Sequence, residues 1–153
     1  MLLVVADTSP IRYLVEIGQI GILPQLFEKI LIPVVVYDEL RHPSAPAPVR
    51  AWANSPPGWL EVLPVTASND PAFQSLDEGE RSALTLGMAL GADLILIDDR
   101  KGAAVARRKG FEITGTLAFS RAQRNAAYWT LRVRSRGSKT RIFTTVRNCS
   151  TNF

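Results

Sequence analysis

Acidic side chains stand in this sequence at points where a fold could bring them together. Asp7 follows the apolar run Leu2 to Ala6, and Asp98 follows Leu94-Ile95-Leu96-Ile97, so each comes where a strand would end. An aspartate there is often only a turn or a cap. Both together are harder to dismiss, because in an open parallel α/β sheet loops and helix starts converge at the carboxyl ends of the strands. Glu39 lies in Val36-Tyr37-Asp38-Glu39-Leu40, where apolar neighbours put it on a partly inward helix face, whereas Asp38 reads as a solvated charge. Asp77-Glu78-Gly79-Glu80 fits a capping box, in which both end carboxylates bond backbone N–H groups. One helical turn also presents Asp77 and Glu80 on adjacent parts of a surface, so capping and metal binding are compatible. Carboxylates that converge without a cation repel one another and raise some pKa values. Hard oxygen ligands with open water positions suit Mg2+ or Mn2+.

The elements that must position these acids alternate along the chain. Leu2 to Ala6 is a short apolar run expected for a strand buried on both faces. Ser9 is expected to cap a helix that has Pro10 at its first position and runs to Gly18. A short helix over 22–27, a strand over 29–32 and a helix opened by Pro33 and carrying Val34 through Arg41 come next. A Pro- and Ala-rich loop, a helix over 49–54, an edge strand over 60–63 and a polar connection over 67–73 follow. The clearest helix spans 77–90 and ends at Gly91. A strand over 94–97, a helix over 101–109 and a strand over 111–113 complete the pattern. Strands alternating with helices at this spacing predict a parallel α/β sheet.

The ordered motifs carry a resemblance. An early Asp-Thr-Ser after the first strand, a Glu in the helix after the second, Leu-Asp-x-Gly-Glu at a helix start and Leu-Ile-Asp-Asp-Arg after a late strand resemble the PIN-domain family. The branch most similar is that of the VapC-like toxin ribonucleases with Asp-x-Gly-Glu and Asp-Asp-Arg. The resemblance covers roughly residues 1–117. It implies a three-layer α/β fold with a central parallel sheet flanked by helices, and an acidic constellation at Asp7, Glu39, Glu80 and Asp98, with Asp99 as a further metal ligand. It further implies a Mg2+- or Mn2+-dependent endoribonuclease acting on single-stranded or looped RNA, the metal activating the nucleophile. A cognate antitoxin and a homodimer are the implied partners. The rival readings are a catalytically idle PIN-like RNA- or protein-binding module and a receiver-like phosphoacceptor. The latter wants its acidic pair after the first strand, and Asp98-Asp99 comes too late.

Other residues invite chemistry less strongly. His42 stands alone beside Pro43 and reads as surface. Trp52, Trp59 and Trp129 could stack on bases, with core or rim packing the better default. Arg107, Arg108 and Lys109 end a helix, where cations favour the macrodipole. Arg100 and Lys101 adjoin Asp98 and are the better candidates for phosphate contacts. Thr8 and Thr116 could order waters near a metal, against local capping.

Composition sets the wider frame. Its 153 residues suit one domain, with 46% hydrophobic and 21% charged residues as in a soluble protein. The apolar runs fall well short of the roughly 20 residues of a membrane span. The apolar start reads as a strand rather than a signal peptide, and the single Cys149 fits a reducing cytoplasm. Charge is divided unevenly. Residues 1–120 carry all 14 acids and ten of the 18 Lys and Arg, a net −4, while residues 121–153 carry the other eight and no acid, a net +8. The segment 118–153 thus stands apart from a nuclease domain over 1–117. It reads either as a basic RNA-binding arm or as a stretch translated out of frame. Permitted codons read one nucleotide back yield a Gly-Val-Leu helix pattern and an aromatic-rich end. On the second reading a poorly packed helix or extended coil is expected.

Overall fold

A computed structural model describes residues 2–116 and the backbone of two later strands, 128–134 and 141–147. Strand β1 (Val4–Ala6) leads into α1 (Thr8–Glu16) and α2 (Ile22–Leu26). Then come β2 (Ile30–Pro33), α3 (Val34–Arg41), α4 (Ala47–Asn54) and β3 (Leu60–Leu63). A short 3-10 turn over Pro71–Phe73 precedes α5 (Glu78–Leu90), β4 (Leu94–Leu96), α6 (Arg100–Arg108) and β5 (Glu112–Thr114).

These five strands form one parallel sheet in the order β3-β2-β1-β4-β5. It is the expected α/β architecture with helices on both faces. Successive strand residues alternate between two cores because side chains alternate across a pleat. Val4, Ala6, Ile30, Ile32, Leu94 and Leu96 pack with α1 to α4, whereas Val5, Leu31, Ile95 and Ile97 pack with α5 and α6. The chain runs outward from β1 through β2 to β3, then returns to the other side of β1 as β4. The switch point therefore lies between the ends of β1 and β4, the place where open α/β sheets bind ligands.

Close approach of α5 to the sheet depends on one glycine. A Cβ on Gly87 would stand 2.7 Å from Ile95 Cδ1. Gly87→Val is expected to destabilise the fold by about 1–3 kcal/mol through overpacking, read as a lower urea midpoint at unchanged slope.

The structure shifts several expected boundaries. The first helix starts at Thr8, so Asp7 rather than Ser9 occupies the N-cap position. The fourth helix begins at Ala47, Pro48 being accommodated in its first turn. The sixth begins at Arg100 because the Asp99 side chain accepts from the N–H groups of Lys101 and Gly102. The last parallel strand is Glu112–Thr114.

The helix or coil expected after residue 118 is corrected for two segments. Strands β6 (Tyr128–Arg134) and β7 (Arg141–Arg147) pair antiparallel in their own two-stranded sheet. Tyr-Trp-Thr-Leu-Arg-Val-Arg and Arg-Ile-Phe-Thr-Thr-Val-Arg are rich in β-branched and aromatic residues, so missing helical periodicity there reflects strand propensity. The expected contacts of Trp129 lie outside the described residues.

Candidate active site

Asp7 is placed by the end of β1. Its N–H donates to Leu96 O on β4 at 2.9 Å, tying the residue to the switch point. It sits at the N-cap position of α1, yet its side chain makes no capping bond. The residue is 3% exposed, and its carboxyl is pushed from 3.8 up to about 7. Burial is the main cause, the Thr8 N–H opposes it, and the charges of Asp77, Glu80 and Glu39 add to it.

Glu39 comes to the same place from α3. The Thr8 hydroxyl donates to its Oε2, and the Gly79 N–H bonds it as well. A Cβ on Gly79 would stand 2.6 Å from Glu39 Oε2. A glycine there is what lets the first turn of α5 close on the Glu39 carboxylate. Burial raises the Glu39 pKa first; the Thr8 hydroxyl opposes, and Asp77 and Glu78 raise it further. Gly79→Ala is expected to move Glu39 aside, lowering affinity for Mn2+ by about tenfold or more while helix content stays native. Calorimetric titration alongside circular dichroism checks this.

Glu80 serves two tasks. Its N–H donates to Asp77 Oδ1 at 2.8 Å and its Oε2 accepts from the Asp77 N–H at 3.3 Å, completing the capping box. It is also 6% exposed, its pKa raised by burial and then by Asp77 and Asp99. A Cβ on Gly102 would stand 3.4 Å from Glu80 Cδ, so the start of α6 abuts this carboxyl. Asp7, Glu39 and Glu80 thus form one electrostatically coupled group, with no Lys or Arg salt-bridged to any of them among the described residues.

The Asp98-Asp99 pair divides. Asp98 Oδ1 accepts from the Thr116 N–H at 2.6 Å and Oδ2 from the Thr116 hydroxyl, so Asp98 fastens the Gly115-Thr116 turn. Asp77 raises the pKa of all three acids, Glu80 and Glu39 that of Asp7, Glu78 that of Glu39, and Asp99 that of Glu80. Asp99 adjoins Glu80 while one of its oxygens, Oδ2, caps α6. Adjacent residues of an extended chain point to opposite sides, which separates the two. Thr8 and Thr116 spend their hydroxyls on Glu39 and Asp98 respectively. Arg100 and Lys101 are exposed at the start of α6, and Arg100 and Arg107 border an open cleft that Asp98 and Gly115 also line.

A cleft of about 330 Å3 opens onto Asp7, Glu39 and Asp77. Arg12, His42 and Ser44 also line it; sequence reading set His42 aside as surface and did not single out Arg12 or Ser44. Trp52 and Trp59 pack against the core with ring centroids 6.0 Å apart, as the packing reading expects.

The donor set fits a hard divalent cation. The acids are oxygen ligands, Asp7 and Glu80 buried and Glu39 half-buried, mutually repelling and without a salt-bridged cation among the described residues. Among the described residues no three acidic or histidine side chains are set as a finished cage.

A family model described as PIN domain matches residues 3–125 of the chain, a span that includes Asp7, Glu39, Glu80, Asp98 and Asp99. No curated protein matches it.

Proposed function

Because the chain belongs to the PIN-domain family, we propose that it is a metal-dependent endoribonuclease, the toxin of a toxin–antitoxin pair. Nuclease activity and use of divalent metal are general in this family. The observation that carries the reading is the group formed by buried Asp7 and Glu80 with half-buried Glu39 at the sheet's switch point, with no salt-bridged cation among the described residues. When bound there, Mg2+ or Mn2+ supplies acidity for water and charge neutralisation at a scissile phosphate.

The chain's own residues do the rest. Asp7, Glu39 and Glu80 would hold the ion, with part of its shell left to water, and Asp99 beside Glu80 would add its charge. Asp7, whose burial pushes its carboxyl up to about 7, would hold the ion as the carboxylate. The Thr8 hydroxyl orients Glu39, and the capping box fixes Glu80. Asp98 holds the Gly115-Thr116 turn at the rim. Arg100 and Lys101 contact phosphates of the RNA strand. A cognate antitoxin and a second copy of the chain are the partners in this proposal, resting on the likeness of Asp77 to Glu80 and Asp98 to Arg100 to the VapC-like branch.

Incubating mixed RNA with the protein tests the proposal. Discrete cleavage products are expected with Mn2+ and none in chelator. Intact RNA in both would favour the idle binding module instead.

A further inference from the structure

His42 is a lone histidine on an exposed loop, yet the fold builds that loop with care. Its N–H donates to Glu39 O at 3.2 Å, so the loop leaves α3 beside the residue that supplies a carboxylate to the cleft. The Ala45 N–H closes a turn on His42 O at 2.9 Å, and Arg50 Nη1 donates to Pro43 O, pinning the turn to α4. Ser44 then bonds the imidazole twice. Its N–H donates to Nδ1 at 3.1 Å, and its hydroxyl lies 2.6 Å from the same atom.

A backbone N–H can only donate, so Nδ1 presents a lone pair and the ring proton sits on Nε2. The Ser44 hydroxyl consequently donates to Nδ1 as well. His42 is thereby fixed as an Nε2–H donor, and it lines the same cleft as Asp7, Glu39 and Asp77. The carboxylates are acceptors, suited to a cation, whereas the imidazole offers a donor. A cleft lined by both suits an oxyanion that a cation attracts and an N–H bonds.

Resting on the nuclease reading of this cleft, we propose that His42, held by Ser44, donates its Nε2–H to a phosphate oxygen of the bound RNA strand. His42 then positions the phosphate in the cleft that the carboxylates line and takes no part in holding metal. Arg12 also lines the cleft, its Nε donating to Glu16 at 3.2 Å.

The test is binding of a noncleavable single-stranded oligonucleotide with 2′-O-methyl riboses, in Mn2+, by wild type, His42→Ala and His42→Gln. The glutamine amide reaches the Nε2 position and restores a donor. His42→Ala is expected to weaken binding about tenfold, the worth of one hydrogen bond to a charged group, and His42→Gln to recover most of it. Mn2+ affinity and unfolding midpoint should stay at wild-type values in both. Nitrogen NMR of the metal-free protein should show Nδ1 unprotonated. Equal binding by wild type and His42→Ala, a proton on Nδ1, or no binding by wild type would each overturn the inference. Mn2+-dependent RNA cleavage persisting in those cases would leave the nuclease reading standing. Weakened binding by His42→Ala together with absent cleavage would sink the nuclease reading and keep this one.

Discussion

Asp7→Asn is expected to stabilise the metal-free protein at pH 8 by up to about 4 kcal/mol, and to lower Mn2+-dependent RNA cleavage by on the order of a thousandfold. The carboxyl ordinarily titrates at 3.8 and in the fold at about 7, chiefly because it is buried. Between those values the native state binds the extra proton. Stability from this group is full below 3.8 and lost as pH rises through about 7, at about 1.4 kcal/mol for each pH unit. Asparagine keeps the shape without the charge and escapes that loss. Chemical denaturation at pH 4 and pH 8 checks it: the two proteins should match at pH 4 and separate at pH 8. Saturating Mn2+ should then favour the wild type by mass action. A variant equal to wild type at both pH values would mean that Asp7 is not held as a buried acid.

Asp99→Asn is expected to lower Mn2+-dependent cleavage at least about a hundredfold, and Asp98→Asn less than about tenfold. Asp99 adjoins Glu80, whereas both oxygens of Asp98 are taken by Thr116. Loss of one acceptor at Asp98 should instead lower stability by about 1 kcal/mol. Because Asn keeps an oxygen for the α6 N–H groups, Asp99→Asn should unfold near the wild-type temperature. Single-turnover cleavage with matched melting curves separates the roles. The reverse ranking would return the site to the sequence-based assignment of Asp98.

How much of this was legible beforehand differs from residue to residue. The apolar runs at Val4 to Ala6 and Leu94 to Leu96 announce strands buried on both faces, and with them a parallel sheet. Asp7 follows from that pattern directly, as the residue after the first run. Glu80 was legible as a capping residue and also as a ligand, and its geometry serves both. Which of Asp98 and Asp99 turns toward Glu80 was not legible, since neighbouring residues of like chemistry differ only in the strand's phase. His42 was hidden for another reason. Its orientation comes from Ser44 across a tight turn and from Arg50 on the next helix, and no periodicity reports such bonds. In the later segment helical periodicity was sought where strand-forming residues stand, so the pair over Tyr128–Arg134 and Arg141–Arg147 was missed. Its charge of +8 remains open to the basic-arm and out-of-frame readings proposed from composition.

The central claim is that Asp7, Glu39 and Glu80 together hold a divalent ion. Titrating Mn2+ into metal-free protein at pH 6.5, in buffers of differing ionisation enthalpy, tests it most directly. The account predicts binding that releases a proton in the wild type, because Asp7 must ionise, and at least about tenfold weaker binding without that proton in Asp7→Asn. Wild-type affinity retained in Asp7→Asn, Glu39→Gln and Glu80→Gln would contradict it.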